Sequence, residues 1–300
     1  GLPEAWAGQS MGALNGVLYS FGGGPNGSVT TNGFTFDGAN WAATIGLPEA
    51  RTGLSVGTFS NALYFAGGSN GGGTFYTNVY RFDGVSWTEV AGLAVGYNQF
   101  SMGVLGDALY AVGGGGPCTN VFRFDGTQWT EVAGLPARRI YAAVQTLGNA
   151  LYAVGGWDGW PRTNVYCYDG TNWTEVAALP SDLPGLISGV LDGRICAFDS
   201  ENPRMAYGFD GNRWAPLTGM LENRNNMAAG VLNGALYAAG GRVIEEELDE
   251  FQTNVYRYTP GVGVTPSSGP ATGGFAVVIV GENLCDGSDI TNVTLCGVSV

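Results

Sequence analysis

The 300-residue chain holds 52 glycines and 13 prolines, no histidine, and twelve basic residues that are all arginine against 25 acids, a net charge of −13. Lacking histidine and lysine, it has no imidazole base or ligand, no Schiff-base amine and no phosphate-loop lysine. The acidic balance fits nucleic acid poorly, and the longest apolar run, residues 275–280, is far short of the ~20 needed to span a bilayer.

No basic-then-apolar leader follows Gly1, so the chain reads as a piece of a larger protein. From there the glycines mark a period. A Gly pair ends an apolar segment at residues 18–23, 63–68, 109–114, 151–156 and 236–241, with a degenerate copy at 195–200 where Asp199-Ser200 replaces Gly-Gly. Asp-Gly follows at 37–38, 83–84, 125–126, 169–170 and 210–211, each with a Trp three residues after the Gly. A Thr-Asn-Val-aromatic stretch opens at Thr77, Thr119, Thr163 and Thr253. Each unit reads as four short strands; in residues 51–92 they are 54–59, 63–68, 78–82 and 87–90. Asp-Gly predicts tight turns through the tolerance of both residues for positive φ. The Trp and Tyr supply apolar area to a thin module.

These residues resemble the kelch repeat: an apolar-Tyr-x-x-Gly-Gly strand, an aromatic strand, and a Trp at fixed offset. The resemblance covers residues 1–260 and implies an all-β kelch-type β-propeller of four-stranded blades, six in number with seven as the alternative. The fifth copy departs from the pattern, which predicts a shorter, less regular blade. Gly1-Leu2-Pro3 matches the end of a fourth strand, as in Gly46-Leu47-Pro48, and no Trp strand follows Tyr258. An upstream segment is therefore expected to complete blade six. Residues 261–300 form a second domain: 264–284 resemble the opening of an IPT/TIG domain, and the remaining length implies a truncated immunoglobulin-like β-sandwich. Cys285 and Cys296 flank a turn there and are candidates to pair as a disulfide. No CxxC spacing exists, and no metal or cofactor is expected.

An up-and-down blade places its second-to-third loops on one face with the blade-to-blade links, and these loops vary most in length and chemistry. Ligand recognition is expected on that face. One column there holds Trp6, Arg51, Tyr97, Arg139, Leu183 and Arg224, so that arginine alternates with a large apolar residue. One reading makes Arg51, Arg139 and Arg224 a positive rim at the channel mouth for a carboxylate, flanked by Trp6 and Tyr97. The other has each arginine bonding neighbouring loops, as kelch repeats commonly use it. Trp157 and Trp160 suit sugar stacking or peptide contact, or pack on each other. The acidic run 245–250 reads as a solvated, mobile loop.

The resulting expectation is a non-enzymatic binding module for a protein or glycan, extracellular or on the cell surface as the kelch and IPT/TIG resemblances imply, with no nucleic-acid partner and no transmembrane segment in this chain. The alternative is a kelch-type epimerase or mutarotase acting on an acidic sugar such as sialic acid through channel-mouth arginines. Galactose-oxidase-like copper chemistry falls for want of histidine. A ubiquitin-ligase adaptor would require a partner domain that the chain does not show.

Overall fold

The computed structural model describes residues 1–260 apart from 26–27, 97, 116–118, 203–204, 220–222 and 246–247, and, beyond them, 263–265, 278–280, 294–295 and 298–299. The chain divides into two compact units, Gly1–Tyr258 and Thr259–Val300. In the second unit the described residues form two short antiparallel pairs, Gly263–Thr265 with Val278–Val280 and Thr294–Leu295 with Val298–Ser299. The expected immunoglobulin-like sandwich, and Cys285 and Cys296 with it, lie otherwise outside the described residues.

The first unit is six antiparallel sheets in chain order. Blade one is β1 (Ser10–Leu14), β2 (Val17–Phe21), β3 (Gly33–Phe36) and β4 (Trp41–Thr44). Blade two is β5 (Ser55–Phe59), β6 (Ala62–Ala66), β7 (Val79–Phe82) and β8 (Trp87–Val90). Blade three is β9 (Ser101–Leu105), β10 (Ala108–Val112), β11 (Val121–Phe124) and β12 (Trp129–Val132). Blade four is β13 (Ala143–Leu147), β14 (Ala150–Val154), β15 (Val165–Tyr168) and β16 (Trp173–Val176). Blade five is β17 (Leu186–Leu191), β18 (Arg194–Asp199), β19 (Ala206–Phe209) and β20 (Trp214–Pro216). Blade six pairs β21 (Ala228–Leu232), β22 (Ala235–Ala239) and, after a two-stranded insertion β23 (Arg242–Glu245) and β24 (Leu248–Phe251), β25 (Val255–Tyr258).

Every blade runs in simple meander order, and each first strand packs on the first strand of the next blade. The contact of β1 with β21 closes the circle at six. Leu2 takes part in the closure. Its N–H donates to the Thr253 carbonyl at 2.5 Å, as Leu47 does to Thr31 and Leu93 to Thr77 one blade earlier in each case. The chain start thus sits on blade six where a linker leucine sits on the other blades.

Close approach of blades depends on glycine in the middle of the inner strands. A Cβ on Gly57 would lie 2.5 Å from Leu109 Cδ1, and one on Gly103 would lie 2.6 Å from Leu151 Cδ1. The fourth-strand Trp completes the outer layer of blades one to five. Trp173 packs on Tyr168 with ring centroids 4.8 Å apart and donates its Nε1–H to the Ala133 carbonyl of the preceding blade at 2.9 Å. Trp129 and Trp214 repeat that bond to Ala91 and Ala177.

The fifth blade is not shortened: β17 and β18 run six residues each, one more than their counterparts, and only β20 is short. Its inner strands need no Gly pair to continue, and Asp199 extends the ladder opposite Leu186. Where a solvated, mobile loop is expected around the acidic run, the described residues pair as strands, in register from Arg242 opposite Phe251 to Glu245 opposite Leu248. Backbone pairing overrides the charge pattern there.

In the Asp-Gly turns only the glycine is left-handed, with φ of 98–102°. The aspartate contributes through its carboxylate: Asp125 Oδ1 accepts from the amides of Thr127 and Gln128 at 2.8 and 2.9 Å. Asp37, Asp83, Asp169 and Asp210 repeat the motif. These backbone bonds hold all five carboxyls below the usual range, Asp125 at about 2 with help from the Thr127 hydroxyl. A depressed folded value stabilises the ionised fold above the unfolded pKa of about 3.9 and loses that contribution as pH falls toward about 2. The melting temperature is therefore expected to drop through that window, and a variant with all five aspartates changed to asparagine should show a shallower acid limb. An identical limb would refute the assignment.

Candidate functional site

The six inner strands surround a channel that holds a cavity of about 360 Å³. Its wall is hydroxyl, amide and apolar: Ser10, Ser55, Ser101, Gln145 and Ser188 line it, and none of its described lining residues is charged. The hydroxyls also bind neighbouring blades, Ser10 donating to the Leu54 carbonyl and Ser101 to that of Ala142.

At the mouth, the residue four before the middle of the inner strand is left-handed in five blades: Gly8, Gly53, Gln99, Tyr141 and Asn226, with φ of 75°, 63°, 60°, 55° and 57°. This backbone turns each N–H along the circumference. Gly8 donates to the Asn226 carbonyl (3.2 Å), Gly53 to Gly8 (3.4 Å), Gln99 to Gly53 (3.4 Å) and Tyr141 to Gln99 (2.9 Å). A necklace of hydrogen bonds thus rims the channel through four of its six junctions. Glycine explains two members; a left-handed tyrosine costs roughly 1–2 kcal/mol. Tyr141 is 52 % exposed, so burial of its ring does not offset that cost.

Blade five interrupts the necklace. Gly185 is the equivalent residue and is not left-handed. Its N–H turns instead to Asp199 Oδ1 at 3.2 Å, and its carbonyl accepts from the Ser200 amide at 3.0 Å. Asp199 and Ser200 are both buried. The residues that displaced the Gly pair therefore pull Gly185 out of the circle. Among the described residues, the Tyr141 carbonyl and the Asn226 N–H are left without partners.

The arginines do not form the rim that an acidic ligand would need. Arg51, Arg139 and Arg224 are only 1–2 % exposed. Arg51 Nη1 donates to the Gly67 and Asn78 carbonyls at 3.1 and 3.2 Å, and its Nη2 meets Glu49 Oε2 at 2.6 Å. Its guanidinium lies 4.1 Å from the Tyr76 ring centroid and 4.9 Å from that of Tyr80. Arg224 repeats the pattern on Gly240, Asn254 and Tyr256, and Arg139 reaches Asn164, Asp158 and Tyr166. Each clips the end of the second strand or its following loop to the start of the third.

Trp6 fills the same position in blade one, wholly buried against Phe34 at 4.7 Å. Tyr97 lies outside the described residues. A signal for this was present in the sequence: arginine pairs with the Tyr of the third strand (Tyr80, Tyr166, Tyr256), and Trp6 pairs with a Phe at that place.

Trp157 (37 % exposed) and Trp160 (73 %) stand on the blade-four loop, and their rings do not pair with each other. Asp158 between them bridges Arg162 Nε at 2.7 Å and Arg139 Nη1 at 3.4 Å, which rigidifies the loop. Arg162, then Arg139, hold its carboxyl below the ordinary value. Trp157 lines a cleft of about 530 Å³ with Tyr141, Leu186, Ile187, Glu201 and Asn226. A second cleft of about 540 Å³ on the opposite side of the mouth includes Asn98, Gln99, Tyr141, Asn226, Arg242 and Phe251. Tyr141 and Asn226 border the channel and both clefts. Sequence reasoning did not single out Gln99, Tyr141 or Asn226, because the conformation that projects them was not legible in their identities.

Six meandering antiparallel blades closed around a channel define a six-bladed β-propeller. Residues 138–180, which span blade four, match the family described as Kelch motif. No curated protein matches the chain. Among solved structures, one described as "Structure of YjhT" is 14 % identical with a TM-score of 0.68, covering 84 % of this chain and 99 % of that one. At that identity the likeness is one of fold.

Proposed function

We propose that the protein is a non-enzymatic binding module that offers its channel mouth, on the face of the second-to-third loops, to a protein or glycan ligand outside the cell or at its surface. The observation that carries this is the strained, exposed Tyr141, which is held left-handed, is bonded to Gln99 and, with Asn226, borders the channel and two clefts. Strain of this kind persists where surrounding structure enforces it, and it collects at ligand clamps. An acidic-sugar epimerase would need a guanidinium for the carboxylate and an acid/base pair at the reacting carbon. The three column arginines are engaged within their blades, and none of the described residues of the channel wall is charged.

Tyr141→Gly tests the reading. It relieves the left-handed backbone and removes the ring, so stability should hold or rise by up to about 1 kcal/mol. Binding on combined glycan and peptide arrays should fall at least about tenfold, roughly 1.4 kcal/mol. A lower melting temperature with unchanged array binding, or wild-type turnover of sialic acid anomers followed by NMR, would sink it.

A further inference from the structure

We infer that the blade-five interruption of the mouth necklace is a notch for an extended peptide bearing a basic residue, a reading that rests on the binding module proposed above. Four junctions of the rim close by one backbone hydrogen bond each, whereas blade five leaves a carbonyl at Tyr141 and an N–H at Asn226. One acceptor and one donor on the border of one cleft are what a peptide unit satisfies, giving its N–H to Tyr141 and accepting from Asn226. Extended peptides dock in this way, with main-chain bonds for affinity and pockets for alternate side chains.

The cleft supplies such a pocket. Trp157, Leu186 and Ile187 offer it an apolar wall, and Glu201 is the one charged residue among the described residues that line it. Glu201 is exposed, and its N–H donates to the buried Asp199 carboxylate at 2.9 Å. The same aspartate that diverts Gly185 therefore fixes the backbone from which Glu201 projects. Partial desolvation of its carboxyl, and then the Asp199 charge, raise Glu201 from its ordinary value, and a cation beside it is favoured over a second anion. With a net charge of −13 on the chain, long-range attraction also favours a basic partner. A sugar hydroxyl, which donates and accepts at one oxygen, makes less use of a separated donor and acceptor beside a carboxylate.

The probe is a fluorescein-labelled library of N-acetylated, C-amidated hexapeptides in matched pairs, Arg or Gln at one position, read by fluorescence polarisation. Arg peptides with an apolar neighbour should bind with Kd below about 100 μM. Glu201→Gln should weaken them about tenfold, leave the Gln partners unchanged and reduce the salt dependence. The double variant Asp199→Gly/Ser200→Gly restores the Gly pair and releases the Gly185 amide toward Tyr141, and it should abolish binding while the melting temperature stays level or rises. No peptide tighter than about 1 mM, or Arg peptides indifferent to both variants, overturns the notch. Neutral oligosaccharides bound in a Tyr141-dependent way in place of peptides would overturn the notch but keep the binding module. Silence on every array would remove both.

Discussion

Arg51→Leu should lower the stability of the propeller by about 3–4 kcal/mol, measured by urea unfolding followed through tryptophan fluorescence. The side chain is 2 % exposed and bonds two backbone carbonyls, Gly67 and Asn78, that no other described donor reaches. Leucine preserves apolar volume but leaves the buried Gly67 acceptor unpaired, at about 1–3 kcal/mol, and the part-buried Asn78 acceptor at the low end of that range. The bond to Glu49, whose side chain is 46 % exposed, adds little after solvent screening. Loss of stacking on Tyr76 and Tyr80 contributes in the same direction. Combining the change with Arg139→Leu and Arg224→Leu, on blades too far apart to compensate one another, should leave no cooperative melting transition at 37 °C. Had the three arginines formed a ligand rim, the triple variant would lose binding and keep its melting curve. That outcome would reverse the assignment.

Gly156→Val should cost about 2–5 kcal/mol. Gly156 closes the second strand of blade four at φ +87°, and a Cβ there would lie 2.7 Å from the Ile140 carbonyl oxygen and 2.8 Å from the Ala142 nitrogen. Both are backbone atoms, so no side-chain rotation relieves the overlap. The segment that must move carries Tyr141 between them, and mouth binding should weaken along with stability. Gly106→Ala is the control. Its φ is +60° but a Cβ there meets nothing within 4 Å, so it should cost only about 1 kcal/mol and leave binding intact. Equal losses at the two positions would show that backbone conformation alone, and not the approach of the linker, requires glycine at 156.

The strand plan was legible because its determinants are local. Apolar alternation, Asp-Gly turns and a Trp at constant offset each act over a few residues, and their repetition marked six units. The Asp-Gly reading was right about the turn and incomplete about its cause, since positive φ falls on glycine alone while the aspartate carboxylate receives two amides. The acidic run misled because its charges drew attention from Val243 and Ile244, which lie in a strand paired with Leu248–Phe251. Blade five misled because a missing Gly pair was taken as loss of order. Asp199 and Ser200 instead lengthen the strand pairing and redirect one glycine.

From its sequence alone the chain was committed to an all-β repeat without histidine or lysine chemistry, since composition and period do not depend on which blades meet. The role of the arginines was open at that level: a guanidinium at a regular position serves equally as a rim or as a clip until its burial is known. Burial is set by segments 16 to 30 residues distant that the turn of each blade brings back over it. The same holds for the mouth. Gln99, Tyr141 and Asn226 are unremarkable letters in the chain, and closure of six blades into a circle is what lines up their N–H groups, interrupts the line at Gly185 and leaves a donor and an acceptor available to a partner.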